Sequence, residues 1–164
     1  MTRMLLLPAL ALLAAAAEPP QPSDDCAKPG SDRVLAEGCA ALDRFMTAFN
    51  ARDVVTWSHT LHYPHVRLAG GTVKVWPTAE DYARENGLTE LTQAGWSRSR
   101  WDYRHLVQRS DDKLHFVVSF TRFRADGSKI GSYESLYILT KEADGWGTQA
   151  RSSYAGVAAA GKAY

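Results

Sequence analysis

Two histidines, two arginines and one tyrosine are the side chains of this sequence best suited to chemistry. Imidazole titrates near neutral pH, so His65 or His105 can act as a general base with little adjustment of its pKa. Arg67, Arg122 or Tyr137 can stabilise negative charge that develops on a substrate oxygen. The residue types predict acid–base chemistry on a small molecule.

Each candidate also has a purely structural interpretation. Either histidine can donate a hydrogen bond to a neighbouring carbonyl and do nothing more. Arg122 can stack on Trp101, and it can pair with a carboxylate of a nearby helix. Asp81 and Glu85 are the available carboxylates. For Arg122 this pairing is the more ordinary arrangement.

A metal site and a phosphate loop are both disfavoured by the spacing of their candidate residues. His59, His62 and His65 recur at every third position. Pro64 separates the last from any helix that the first two share, and no carboxylate is spaced to complete a zinc site. Gly70-Gly71 is a turn outside any nucleotide-binding motif. We expect no metal and no cofactor.

Composition indicates one folded domain that must position these side chains. The 164-residue chain is 45% hydrophobic, with 19 basic and 18 acidic side chains. This balance leaves no basic surface for nucleic acid. We assign residues 34–155 to the domain, after a proline-rich entry segment at 18–33 and before a flexible tail at 156–164.

The beginning of the chain has the pattern of an export signal. Arg3 precedes an unbroken apolar run at 4–17, and small residues precede Glu18. A retained membrane anchor is the alternative, but the run is shorter than the roughly 20 residues that span a bilayer. We expect a cleaved signal peptide at 1–17, a periplasmic or secreted protein, and no membrane contact after cleavage.

Export changes the interpretation of the two cysteines. Cys26 and Cys39 are the only candidates for a disulfide bond, which an oxidising compartment would preserve. The bond would attach the entry segment to the first helix. The alternative is two free thiols.

Hydrophobic spacing predicts three helices and an inserted hairpin in the first half of the domain. Apolar residues recur at three and four positions over 34–50, and Asp53 can cap a short second helix that ends near His59. Strands at 65–69 and 72–76 flank a two-glycine turn. Thr78 can cap a third helix that ends near Leu91.

The second half alternates with the period of strands, at 99–109, 113–124, 129–141 and 146–155. Counting outward from the turns at 111–112, 126–127 and 144–145 pairs Arg122 with Gly131 and Tyr137 with Ser152. One face then collects Trp101, Tyr103, His105, Val107, Phe116, Val118, Phe120, Arg122, Tyr133, Ser135, Tyr137, Ser152 and Tyr154.

This aromatic face is the one that the helices should cover, because burying the charged opposite face would be costly. This face carries too many polar groups for an ordinary hydrophobic core. Because buried polar groups need hydrogen-bond partners, the composition favours a pocket that holds water or a ligand. The residues expected to contact a ligand there are Trp101, Tyr103, Phe120, Tyr133, Ser135, Ser152 and Tyr154.

This arrangement resembles the nuclear transport factor 2-like superfamily. The stretch from Arg44 to Asp53 is similar to the first-helix signature of its SnoaL-like and ketosteroid-isomerase-like members, and Asp144-Gly-Trp146 resembles their entry into the last strand. The resemblance implies an α+β cone: three N-terminal helices with an inserted β-hairpin, packed on a curved antiparallel sheet.

The resemblance does not extend to the isomerase's catalytic residues. Phe45 occupies the position of its tyrosine, while Ala69 and Tyr137 occupy those of its two acids. Hydropathy alone would turn His65 and Arg67 outward. In the family, however, the base position corresponds to Ala69, which shares one strand face with His65 and Arg67, so the resemblance implies that both side chains face the pocket. We favour the pocket.

Two functions are consistent with this sequence. The first is a cofactor-independent lyase or isomerase that acts on a small aromatic or polycyclic alcohol or ketone. The alternative is a non-catalytic periplasmic binding or accessory module that uses the same pocket. We also expect a homodimer through the outer sheet face, around Ser119, Thr121, Glu134, Leu136 and Ile138.

Overall fold

The computed structural model describes residues 22–154, together with 156–157 and 162–163. The predicted signal peptide, the first residues of the entry segment and most of the predicted tail lie outside the described residues. No described helix is long and apolar enough to cross a membrane.

Four helices occupy the first part of the domain: α1 (Arg33–Ala51), α2 (Val54–Ser58), α3 (Ala79–Glu85) and α4 (Thr89–Gln93). Asp53 and Thr78 cap α2 and α3 as the sequence predicts. The predicted third helix is divided in two, because the side-chain amide of Asn86 donates to the Tyr82 carbonyl and ends α3.

Six strands form one curved sheet: β1 (Leu61–Ala69), β2 (Thr72–Trp76), β3 (Arg98–Arg109), β4 (Lys113–Phe123), β5 (Lys129–Glu142) and β6 (Gly145–Ser153). Their order is β2-β1-β6-β5-β4-β3. A separate short pair joins β7 (Gly156–Val157) to β8 (Lys162–Ala163).

The α+β class and the helix-covered cone are confirmed, but the main sheet is not wholly antiparallel. β1 and β6 pair in parallel, which makes the sheet mixed. The two strands are distant in the chain, so no turn between them marks their pairing in the sequence. This pairing brings the inserted hairpin beside the last strand of the meander.

The core lies between α1 and the concave face of the sheet. Phe45 and Phe49 of α1 pack edge to face against Trp57 of α2, and Phe49 also contacts Trp96. Burial of several aromatic side chains makes this layer the main hydrophobic contribution to stability.

The entry segment is fixed to the domain at two points. A disulfide bond joins Cys26 to Cys39 of α1, as predicted. Arg104 of β3 donates hydrogen bonds to Asp24 and to Asp43. The side chain of Arg104 is buried, so both carboxylates compensate a charge that has lost its water.

Two β-bulges in β3 reverse the predicted orientation of two site residues. The pairing with β4 shifts by one residue between Leu106 and Gln108, and by one more residue in the same sense between Trp101 and Tyr103. A bulge moves every following side chain to the opposite face. Tyr103 and His105 lie between the two bulges and face outward, so their prediction as pocket residues was wrong.

A third bulge has the same effect in β6. The predicted pairing of Arg122 with Gly131 holds, but Tyr137 lies opposite Arg151 instead of Ser152. The register shifts because Gln149 is an extra residue opposite the Ile138–Leu139 step.

Two predicted contacts are therefore wrong. Ser152 faces outward, and Tyr154 lies beyond the strand with 85% of its surface exposed. Arg151 and Ser153 take their places on the concave face.

Candidate ligand pocket in the cone

A cavity lies between α1 and the concave face of the sheet. Its volume is about 20 Å³, which is room for one water molecule or a comparably small group. The residues that line it are Phe45, Met46, Phe49, Trp57, Ser99, Phe120, Arg122, Tyr137 and Arg151. Among residues 22–154, the lining contains no aspartate and no glutamate.

Arg151 of β6 is the central polar side chain of the cone. Its Nε donates to Nε2 of His65 over 3.2 Å, and its Nη2 donates to the hydroxyl of Tyr82 over 2.7 Å. The guanidinium also lies over the rings of Phe45 and Trp57, at 5.2 and 5.8 Å from their centroids. Hydrogen bonds and cation–π contacts thus hold a positive charge that no carboxylate among the described residues neutralises.

His65 faces the cone, as the family resemblance implies and hydropathy does not. It is fully buried, and both ring nitrogens have partners: Nδ1 lies 3.0 Å from the Thr148 carbonyl, and Nε2 accepts from Arg151. Burial and the adjacent Arg151 charge lower the pKa of His65 to about 2. His65 is therefore a neutral imidazole that holds Arg151 in position.

Arg67 also faces the cone, and it differs from Arg151 in having no acceptor at one edge. It is 3% exposed, and its Nε and Nη2 are buried without a hydrogen-bond partner. Burial, followed by the nearby Arg151 charge, lowers the pKa of Arg67 to about 9. The guanidinium remains charged at neutral pH, with unused donors.

Four of the predicted pocket residues come together in the cone: Trp101, Phe120, Arg122 and Tyr137. Tyr133 lies under the guanidinium of Arg122, 4.9 Å from its ring centroid. Arg122 thus stacks on Phe120 and Tyr133, whereas the sequence analysis expected Trp101 as its aromatic partner.

The remaining predicted residues lie elsewhere. Ser135 is buried and hydrogen-bonded to Ser153, so it belongs to the packing of β5 against β6. The hydroxyl of Tyr103 donates to Glu134 on the outer face. His105 is 41% exposed at its side chain and lies 3.0 Å from Asp25 of the entry segment.

Two residues of the site, Arg151 and Tyr82, were not predicted from the sequence. Arg151 was not among the predicted residues, because simple alternation passes over the bulge at Gln149 and puts Ser152 on the concave face instead. Tyr82 is the only ring of α3, and no local pattern links this helix to the end of β6. Both assignments depend on the tertiary structure.

One group of potential metal ligands occurs among the described residues, formed by His62, Glu142 and Asp144. Nδ1 of His62 lies 3.5 Å from Glu142, and Nε2 lies 3.6 Å from Asp144. One ligand atom from each residue lies within 4.8 Å of the other two, a spacing at which the three residues could hold a metal ion. None of the three lines the cone cavity.

A protein-family model described as "NTF2-like protein" (DUF6841) matches residues 37–153, which is most of the described domain. The chain belongs to this NTF2-like family. Among curated proteins, none matches the sequence.

Several solved structures share the NTF2-like cone. A ketosteroid isomerase-like protein from Erwinia carotovora atroseptica is 22% identical, with a TM-score of 0.57, over 75% of this chain and 96% of its own. A Catenulispora acidiphila protein in complex with S-DNPA is 20% identical, with a TM-score of 0.59, over 74% and 92%.

An NTF2-like protein with a cystatin-like fold from Novosphingobium aromaticivorans is 12% identical, with a TM-score of 0.57, over 70% of this chain and 77% of its own. At these identities the similarity establishes the fold, while the activity depends on the side chains inside each cone.

Proposed function

We propose that the cone of this NTF2-like protein binds a small organic anion. The observation that carries this proposal is the charge of the interior: Arg67 and Arg151 are both buried on the concave face, and the cavity lining has no acidic residue in the part of the chain that the structure describes. A buried charge is costly unless it is paired. An anionic ligand supplies the missing negative charge.

The unused hydrogen-bonding groups of the cone support an anion as well. The indole nitrogens of Trp57 and Trp101 and two nitrogens of Arg67 are buried without partners. All of these groups are donors only. A ligand that brings acceptor oxygens would satisfy them, whereas a neutral hydrocarbon would leave them unpaired.

The size of the cavity restricts the ligand. About 20 Å³ holds one water-sized group, so any organic ligand requires the lining to move apart, and a polycyclic alcohol or ketone requires a larger movement than a monocyclic carboxylate. Met46 lines the cavity and is the most adaptable of its apolar side chains, so its movement can enlarge the space. We therefore favour a compact carboxylate with a small apolar body over a polycyclic molecule.

Binding without acid–base catalysis is the better supported of the two predicted functions. A general base needs a free lone pair near the substrate. Both nitrogens of His65 are engaged, and His105 lies on the other face of the sheet. The predicted lyase or isomerase activity, with Arg122 and Tyr137 stabilising negative charge, stays a prediction.

We also propose that the protein works in an oxidising compartment, the periplasm or the exterior. The apolar run at 4–17 supports export, and the bond between Cys26 and Cys39 supports an environment in which disulfides persist. Fractionation of the native host, with an antibody against the domain, tests this proposal directly.

The binding proposal is tested by thermal shift and calorimetry with matched pairs of ligands. Benzoate and cyclohexanecarboxylate should raise the melting temperature, since a ligand that binds only the folded state stabilises it by mass action. Benzamide has the same shape without the charge and should have no effect. Equal shifts with benzoate and benzamide, or no binding of any anion, would contradict the proposal.

A further inference from the structure

We propose that the Nε and Nη2 edge of Arg67 is the receptor for the carboxylate group of the ligand. This inference rests on the proposed function and names the group that the cone recognises. Both nitrogens are buried and lack hydrogen-bond partners, and the whole residue is 3% exposed. Buried donors are nearly always satisfied in folded proteins, so two adjacent unpaired donors mark a place where a ligand completes the structure.

The neighbouring Arg151 has hydrogen-bond partners at the same guanidinium edge, formed by Nε and Nη2. Arg67 and Arg151 are direct partners across the parallel pair of β1 and β6. The same two atoms of Arg151 are satisfied inside the protein, Nε by His65 and Nη2 by Tyr82. The acceptors His65 and Tyr82 both serve Arg151, so the same edge of the adjacent Arg67 guanidinium is left without a partner.

The positions of the unpaired atoms select the chemical class of the ligand. Nε–H and the neighbouring Nη–H of a guanidinium are parallel donors, which match the two oxygens of a carboxylate. A carboxylate would therefore form two hydrogen bonds with Arg67. It would also place a negative charge beside Arg151, which repels Arg67 when the cone holds no anion.

The apolar part of the ligand would follow from the rings around the arginines. Phe45 and Trp57 already cover Arg151, and Phe120 continues this aromatic lining. A compact apolar body attached to the carboxylate would contact these rings. A free inorganic anion would use the same donors without these contacts.

The decisive variant is Arg67→Lys, which keeps a positive charge and removes the parallel pair of donors. Calorimetry on the full chain should give an affinity for benzoate about tenfold weaker than that of the wild type. Arg100→Lys is the matched control, because Arg100 is an exposed arginine of the same sheet on the outer face, and it should bind benzoate like the wild type.

A second variant keeps the test informative if the lysine substitution disturbs folding. Arg67→Met replaces an unpaired buried charge with an apolar chain of similar length, so the ligand-free protein should melt at the same temperature or higher. The shift of the melting temperature caused by benzoate should disappear. Loss of folding in Arg67→Met would contradict an unpaired role for this side chain.

The possible outcomes distinguish this inference from the proposed function. If both Arg67 variants fold and bind benzoate as the wild type does, Arg67 is not the receptor and the anion-binding function stands. If the wild type binds inorganic phosphate and no carboxylate, the ligand class is wrong. If it binds no anion at all, both proposals fail.

Discussion

Nε of Arg151 lies 3.2 Å from Nε2 of His65 and donates a hydrogen bond to it. An arginine can only donate, so this nitrogen of His65 must be the unprotonated one. Nδ1 then carries the proton and donates to the Thr148 carbonyl at 3.0 Å. The pair fixes one tautomer and makes protonation of His65 incompatible with the folded cone.

This relationship predicts a loss of stability in mild acid. The pKa of His65 is about 2 in the folded chain and about 6.5 when unfolded, so between these values only the unfolded chain takes up the proton. Stability should fall as the pH falls below about 6.5. The expected loss is about 2 kcal/mol between pH 7.5 and pH 5.

Chemical denaturation of the wild type and His65→Gln at several pH values measures this contribution. The stability difference between the two proteins should shrink as the pH falls from 7.5 to 5, because glutamine does not titrate. His59→Gln is the control, since His59 is exposed at the end of α2, and it should keep the wild-type slope. If the free energy of unfolding depends on pH in the same way for the wild type and His65→Gln, the lowered pKa of His65 in the folded chain is refuted.

The disulfide bond should stabilise the domain chiefly by restricting the unfolded chain. Cys26 and Cys39 are 13 residues apart, and closing a loop of this size is worth about 3 kcal/mol in the chain-entropy model. The double variant Cys26→Ser/Cys39→Ser should lose this amount in urea unfolding. Its sheet should remain intact, as judged by circular dichroism.

Thiol labelling gives an independent check of the same bond. Native, non-reduced protein from an oxidising compartment should present no thiol to an alkylating reagent, and reduction should expose two. Two reactive thiols in the non-reduced protein would contradict the prediction. After reduction, the hydrogen bonds from Arg104 to Asp24 should still attach the entry segment to the sheet. Reduction should therefore lower the stability of the domain without unfolding it.

The outer sheet face predicts self-association. Two adjacent rows of mostly apolar side chains cross four strands: Ile138, Ala150, Val66 and Val75 in one, and Leu136, Ser152, Leu68 and Val73 in the other. Leu68, Val73 and Val75 are 43%, 62% and 55% exposed. Contiguous apolar surface of this kind favours an interface between copies.

Sedimentation at micromolar protein should show a dimer, and Leu136→Asp should shift it to a monomer because a charge would be buried at the interface. Val55→Asp is the matched control, since Val55 is an exposed valine on α2 away from the sheet, and its dimer should persist. A wild-type monomer under these conditions would contradict the prediction.

Local signals determined the elements of this protein. The capping residues Asp53 and Thr78 and the turn at 126–127 act over a few residues, so helix starts and the β4–β5 register could be predicted from the sequence. The disulfide pairing also followed, because the chain has only two cysteines.

The tertiary structure alone decided which polar groups meet in the cone. Three bulges, near Val107, Asp102 and Gln149, reverse the alternation of β3 and β6, and no residue type marks their positions. They turn Tyr103 and His105 outward and bring Arg151 inward. Its acceptors come from β1 and α3, far away in the chain, so the arginine pair at the centre of the site exists only after the sheet has closed on the helices.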